Sequence, residues 1–347
     1  MRKIRKGEKR ILVIRPDRVG DVVLATPLIQ TLRKHFPDSY IVAMVRPHTA
    51  VLLDHNPHLN AVILDDFEVK DKGWKGFLRK VREIRMHRFD TALMLLPTQR
   101  VAWMLFFSGI LHRIGVGKKL YETFTFTRTV SRNNYIPLRH EADYCMDLGR
   151  KIGVKHEDLT PQIFLTRDEK NDGMAILKNK GISPDQIIVG INPGSGNSAP
   201  NWSWTIYSQL AKLITHDSEI ALVLTGNSDE KPLCDLINRN IQGRAFNLAG
   251  QSLKELITVI THFHVLVSSS TGPMHIAAAL KVPTVSIFCP LPARSPVLWG
   301  PLGNEHTIFI PKDDFCMNCD KKTKCNLASI DVRQIYQAIH VLIKKNI

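Results

Sequence analysis

Four charged residues and a glycine fall within seven positions near the start of this 347-residue chain, in Arg15-Pro-Asp-Arg-Val-Gly-Asp21. Asp21 stands at the entrance of an apolar-periodic stretch, where two chemistries compete. It is either an N-cap carboxylate bonding its own helix N–H groups, or a general base that takes a proton from a substrate hydroxyl. In the second case Gly20 leaves a substrate room to approach, and Arg15 and Arg18 supply positive charge for an anionic acceptor or a phosphate. A second chemical stretch is Ser268-Ser-Ser-Thr-Gly-Pro-Met-His275. An apolar run precedes it and a small-residue helix follows. The turn Thr271-Gly272-Pro273, with Ser270 beside it, therefore sits where free N–H groups and a helix dipole attract an anion. His275, one turn into that helix, is open to a structural or a functional reading.

Two further loops follow strand-like runs. Asn192-Pro-Gly-Ser-Gly196 offers Ser195 and Gly196 for phosphate or sugar contacts, although the same residues make ordinary turns. Thr225-Gly-Asn-Ser-Asp-Glu230 places a carboxylate where dinucleotide folds hold a ribose, or where a helix start wants a negative charge. Cys316, Cys319 and Cys325 cluster late in the chain. They supply three of the four ligands a zinc site usually takes unless His306 joins them, and a structural thiol cluster is the alternative. No metal is assigned on this basis.

These loops need strands to present them. Short apolar runs at 11–14, 40–45, 61–64 and 91–96 alternate with helix-spaced stretches at 22–36, 70–88 and 101–111. A second series has strands at 187–191, 220–224, 245–248, 265–267 and 284–288, with helices at 207–215, 230–238, 253–261 and 274–280. This alternation predicts two doubly wound parallel sheets, Rossmann-like domains facing across a cleft, with ligand loops at the strand C-termini. The expected domains are residues 1–168 and 169–347, with a last helix at 332–345 capping the second or crossing back to the first.

Composition narrows the function classes. Hydrophobic residues make up 44% and charged residues 23%, as in a globular protein, and no apolar run is long enough to span a bilayer. The basic N-terminus leads into only four apolar residues, Ile11–Ile14, so it predicts a first strand and a cytoplasmic protein. Net charge is +15, and residues 1–168 hold +12 of it, with 30 lysines and arginines against 18 aspartates and glutamates. The first half is expected to meet something anionic. The Gly-x-x-x-x-Gly-Lys-Ser/Thr loop, a Gly-x-Gly-x-x-Gly after the first strand and the Gly-x-Ser-x-Gly elbow are all missing from the sequence. A phosphate-binding cleft without them points to a nucleotide-diphosphate or nucleotide-sugar ligand.

The motifs Arg15–Pro27, Asn192–Gly196, Asn247-Leu-Ala-Gly250 and Ser270-Thr-Gly-Pro-Met-His275, taken in that order, resemble the heptosyltransferase family (glycosyltransferase family 9) of lipopolysaccharide core synthesis. The resemblance runs from about residue 10 to about residue 335. It implies a GT-B architecture, an acceptor domain followed by an ADP-sugar domain, and inverting transfer of a heptose without metal or other cofactor. The family's catalytic aspartate falls on Asp21. Donor contacts fall on Thr271 and Gly272 for the diphosphate and on Glu230 for the ribose, with Ser195, Gly196, Ser270 and His275 alongside. The implied partners are an ADP-sugar, an anionic lipid-linked core oligosaccharide and the cytoplasmic face of the inner membrane, with no nucleic acid. Two departures stand out: Ser270 replaces a frequent Asp, and Pro200 a frequent Lys two residues before Trp202. They leave two other functions to weigh: another donor, such as an N-acetylhexosamine nucleotide, or a non-catalytic nucleotide- or RNA-binding protein.

Overall fold

The computed structural model describes residues 8–346 apart from 118, 133–134, 156–157, 197–198 and 312–325. The clustered cysteines Cys316, Cys319 and Cys325 lie outside the described residues. The chain divides into two compact units, Met1–Gln162 and Ile163–Ile347.

In the first unit six parallel strands run β1 (Arg10–Ile14), β2 (Tyr40–Val45), β3 (Ala61–Leu64), β4 (Thr91–Met94), β5 (His112–Val116) and β6 (Arg128–Val130). Their order across the sheet is β3-β2-β1-β4-β5-β6. Ile11, Leu12, Val13 and Ile14 are all buried, because helices cover both faces of a doubly wound sheet. α1 (Val19–Val23) and α2 (Thr26–His35) follow β1, and α3 (Gly73–Met86), α4 (Gln99–Phe107) and α5 (Leu120–Thr125) lie on one face. Phe77, Val81, Ile84, Val101 and Leu105 of that layer pack on Leu12, Ile14, Val42 and Met44. Elsewhere in the unit α2 meets α6 (Glu141–Arg150) closely: a Cβ on Gly149 would lie 2.8 Å from Leu28 Cδ1. The helix expected over 22–36 is broken at Leu24 and Ala25 into α1 and α2, so Asp21 sits on a short helix of its own.

The second unit repeats the plan with β7 (Ile187–Asn192), β8 (Ile220–Leu224), β9 (Phe246–Asn247), β10 (Val265–Ser269), β11 (Thr284–Ile287) and β12 (His306–Phe309). The order β12-β11-β10-β7-β8-β9 matches that of the first sheet, strand for strand. The boundary falls six residues before the expected one. The segment from Ile163 leads into α7 (Arg167–Asn179), whose Thr166–Glu169 capping box starts it and whose Gly173 lies against the Thr258 carbonyl of α10 (Leu253–Ile260). That approach leaves no room for a side chain.

Three more helices, α8 (Trp204–Ile214), α9 (Lys231–Asn240) and α11 (Gly272–Ala279), connect the strands; a short α12 (Pro296–Trp299) and α13 (Val332–Asn346) follow. Of the two places open to the final helix from sequence, it takes the one on the second unit. Ile335, Ile339, Leu342 and Ile343 of α13 are buried with Tyr207, Leu210 and Ile214 of α8 in the second unit's own core. Each such side chain contributes roughly 1.5–3 kcal/mol when buried, which holds α13 on its own sheet.

Candidate active site

In each sheet the strand order reverses beside the first strand, between β1 and β4 and between β7 and β10. Loops leaving the C-terminal ends of such strands form the binding crevice of doubly wound folds. The Asp21 loop leaves β1, and the loops after β7, β8 and β10 leave three adjacent strands of the second sheet.

The Asp21 loop is built on a buried guanidinium. Arg15 has only 4% of its side chain exposed, and it meets three carboxylates. Its Nε donates to Asp17 Oδ1 at 2.9 Å, Nη1 to Glu141 Oε1 at 3.0 Å, and Nη2 to Asp21 Oδ1. Arg132 adds a second cation, its Nη1 lying 2.9 Å from Glu141 Oε1. Three carboxylates against two guanidiniums leave the cluster one negative charge, held where charge is costly to desolvate. Burial pushes the Asp17 carboxyl up to about 7, with Asp21 and Glu141 adding repulsion and Arg15 opposing both. The same burial raises the Cys145 thiol to about 12, so this cysteine is no nucleophile.

Asp21 does not cap its helix. The N-cap of α1 is Arg18, and no side chain bonds there. Its carboxylate is 16% exposed, Oδ1 is held by Arg15, and among the described residues Oδ2 has no hydrogen-bond partner. Of the two readings open from sequence, the N-cap is not the one the structure shows. Arg15 corrects a different expectation: a guanidinium buried under three carboxylates is not offered to a substrate phosphate. Arg18 is exposed, and Gly20 is partly exposed within α1.

The second unit gathers its loops around Glu230 and Asn201. Glu230 Oε1 accepts from Gly196 N at 2.9 Å and Oε2 from Asn227 N at 3.0 Å, so one carboxylate ties the loop after β7 to the loop after β8. Gly196 has φ +51°, a conformation glycine adopts without penalty, and any side chain on Gly194 would overlap the Glu230 carboxyl. Asn201 Oδ1 accepts from Tyr207 Oη and Ser269 Oγ, each at 2.6 Å, while its Nδ2 donates to Pro193 O. The loop after β7 is thereby pinned to the end of β10. Ser195 Oγ donates to Ala199 O at 2.9 Å and helps to close the same loop.

Beyond β10, Ser270 is partly exposed and Thr271 is the N-cap of α11. The Thr271 side chain makes no cap bond; it is buried at 5% exposure, and its Oγ1 has no partner among the described residues. Gly272 is the first residue of α11 and is partly exposed, and Pro273 at the next position gives up an N–H that the helix start does not need. His275 is buried at the first turn.

The family model for glycosyltransferase family 9 (heptosyltransferase) matches residues 77–329. The chain belongs to that family. Among its relatives, a putative glycosyltransferase of Haemophilus influenzae is 25% identical, with 97% of each chain covered. Lipopolysaccharide heptosyltransferase 2 of Escherichia coli K12 is 27% identical over 86% of this chain and 87% of that protein. The fold is similar to a solved family 9 glycosyl transferase from Veillonella parvula, with TM-score 0.84, 20% identity and 97% of each chain covered. It is similar also to Escherichia coli ADP-heptose lps heptosyltransferase II, with TM-score 0.79, 23% identity and coverage of 97% and 99%. The chain is thus a glycosyltransferase of the GT-B fold, as its motif order implies.

Within this family 9 chain, the expected donor residues come together as one set of adjacent strand-end loops, and Asp21 stands at the equivalent strand end of the other sheet. Sequence reasoning missed three residues that hold them. Glu141 and Arg132 complete the cluster behind Asp21 from 126 and 117 positions beyond Arg15, and Asn201 is one polar residue among many in a loop rich in them. Only its place, immediately before a Trp buried at 5% exposure that bonds Leu327 O at 2.7 Å, hints that this loop end is fixed.

Proposed function

We propose that this chain is an inverting, metal-independent heptosyltransferase that moves a heptose from ADP-heptose to a phosphorylated, lipid-linked inner-core acceptor of lipopolysaccharide. The observation that carries the reading is the Asp21 carboxylate, with one oxygen fixed by buried Arg15 and the other open to a substrate hydroxyl. In this reaction the acceptor oxygen bonds the anomeric carbon from the face opposite the leaving group. The bond from that carbon to the β-phosphate oxygen breaks, and the hydroxyl proton passes to Asp21 Oδ2. Negative charge develops on the departing ADP, where the N-terminal amides of α11 and the Thr271 hydroxyl would meet it. Glu230 would take the ribose, with Ser195, Gly196, Ser270, Gly272 and His275 shaping the nucleotide seat.

The acceptor is anionic, which suits the +12 of residues 1–168 and the exposed Arg18. Among the described residues no helix is long and apolar enough to cross a membrane. A peripheral place at the cytoplasmic face of the inner membrane is the corresponding location. Asp21→Asn tests the reading: transfer from ADP-heptose to a truncated core acceptor should fall by about 10²–10⁴-fold, while ADP-sugar binding survives. Transfer retained by that variant would mean that the base is elsewhere, and a nucleotide-sugar panel in which another donor binds more tightly would reassign the donor.

A further inference from the structure

The layer α3–α4–α5 carries exposed aromatic and aliphatic side chains on its outer surface. Trp74 is 68% exposed, Leu120 78% and Phe124 63%, and Leu78, Phe106 and Phe107 are exposed as well. Isolated exposed apolar residues are ordinary, but Trp74, Phe106 and Phe107 are joined. Trp74 stacks on Phe77 with ring centroids 5.2 Å apart, and Phe77 meets Phe107 edge-on at 6.3 Å. Phe107 continues to Phe106 at 5.5 Å and to Trp103 at 5.7 Å. The Arg113 guanidinium lies 5.3 Å from the Phe106 ring and donates to Thr125 O, next to Phe124. The ring contacts therefore join α3 to α4, and Arg113 links α4 to the backbone of α5.

Cations border this aromatic strip, and the acids near it are already engaged. Glu83 pairs with Lys80 at 2.7 Å, Asp71 pairs with Arg79 and Lys80, and buried Glu122 accepts from Lys119 N at 2.6 Å. Lys75 and Arg82 are exposed and form no ion pair among the described residues, and exposed Arg85 meets only the Phe107 carbonyl. On α3 the residues Trp74, Leu78, Arg82 and Arg85 follow one another at spacings of four and three, so aromatic, aliphatic and cationic groups share one exposed edge.

We propose that the outer face of α3, α4 and α5 docks on an anionic lipid bilayer, with Trp74, Phe106, Phe107 and Phe124 at the headgroup level and Lys75, Arg82 and Arg85 against lipid phosphates. Aromatic rings with an apolar body favour the interfacial zone, and basic side chains beside them add attraction to anionic headgroups. A protein partner covering so basic a face would need a matching acidic surface, whereas an anionic bilayer supplies that charge at every point. The docking face stands on its own geometry and borrows from the proposed function only the identity of the membrane.

The test is sedimentation of the full chain with phosphatidylethanolamine–phosphatidylglycerol vesicles and with phosphatidylcholine vesicles. The parent should bind the anionic vesicles preferentially, and binding should fall as salt rises. Trp74→Ala with Phe124→Ala, and separately Lys75→Glu with Arg82→Glu, should each weaken binding by about tenfold or more with unchanged circular dichroism. Trp74→Phe should bind like the parent. Transfer to a lipid-free acceptor should be untouched in all of these variants, which separates a failed docking face from a failed assignment of the reaction. The proposal is overturned if the parent ignores anionic vesicles or if both double variants bind as the parent does. It is overturned equally if the aromatic variants alter self-association and leave vesicle binding intact, because the face would then belong to a second copy of the chain.

Discussion

Arg15 holds Asp21 from beneath: a guanidinium with 4% of its side chain exposed donates Nη2 to Asp21 Oδ1, while its other two nitrogens serve Asp17 and Glu141. In the proposed reaction the carboxylate that would face substrate is thereby fixed through one oxygen by a buried group. Preorganisation of this kind matters because a base must already lie along the proton's path when the acceptor bond forms.

Arg15→Lys should expose that role. A lysine has one compact cationic head and cannot serve three carboxylates in fixed directions. Loss of the fork should destabilise the fold by about 3 kcal/mol, the scale for breaking a buried ion pair. Urea denaturation reads that cost. Steady-state kinetics should show a fall in kcat at nearly unchanged KM for the donor; a change confined to KM would place Arg15 in binding instead.

Asp17 gives the cluster a pH dependence of known sign. Its carboxyl is pushed from the ordinary range up to about 7 by burial first and by its acidic neighbours next. A folded-state value above the unfolded one means that the native state holds the extra proton. The stability this group lends is full below the unfolded value and is lost as pH rises through about 7. Asp17→Asn keeps an acceptor for Arg15 Nε and removes the titration. Its stability relative to the parent should therefore grow between about pH 5 and about pH 8, measured as urea midpoints at each pH. A constant difference across that range would show that Asp17 does not titrate there.

How much of this was open to sequence reading follows from where the information lies. The central strands were legible because Ile11–Ile14, Ile220–Leu224 and Val265–Val267 are apolar on both faces, and the site loops were legible because they begin where those strands stop. Strands β5, β6 and β12 were not: β6 and β12 are edge strands and β5 lies next to an edge, and they carry His112, Arg113, Arg128 and His306 where a central strand would be apolar. Helix α7 hid for another reason. It buries only Glu169, Gly173 and Leu177, and it packs by backbone approach at Gly173 instead of by an apolar stripe. The cluster behind Asp21 could not be read locally at all, because its partners Arg15 and Glu141 meet only after β4 and β5 have been placed.

Gly194→Ala tests the tie between the loops after β7 and β8. The new methyl would overlap the Glu230 carboxyl, the end of a flexible side chain that can swing aside. Folding stability should therefore change little, while Glu230 leaves the N–H groups of Gly196 and Asn227. ADP binding followed by calorimetry should weaken by about tenfold, comparable to the loss of one hydrogen bond to a charged group. Unaltered affinity would show that this arrangement of Glu230 is irrelevant to the nucleotide.

Thr271→Val separates a structural hydroxyl from a binding one. Buried polar groups nearly always have partners, and one left without costs the fold its desolvation. Thr271 Oγ1 is buried, makes no cap bond to α11 and has no partner among the described residues. Valine keeps the shape and removes the unpaired atom, so the free protein should be as stable as the parent or more so. A hydroxyl held for a diphosphate oxygen would be missed only in the complex. ADP and ADP-sugar affinity should then drop by about tenfold, and Thr271→Ser should restore most of it. If valine costs stability and leaves affinity untouched, the hydroxyl serves the fold, and the diphosphate is met by the backbone amides of α11 alone.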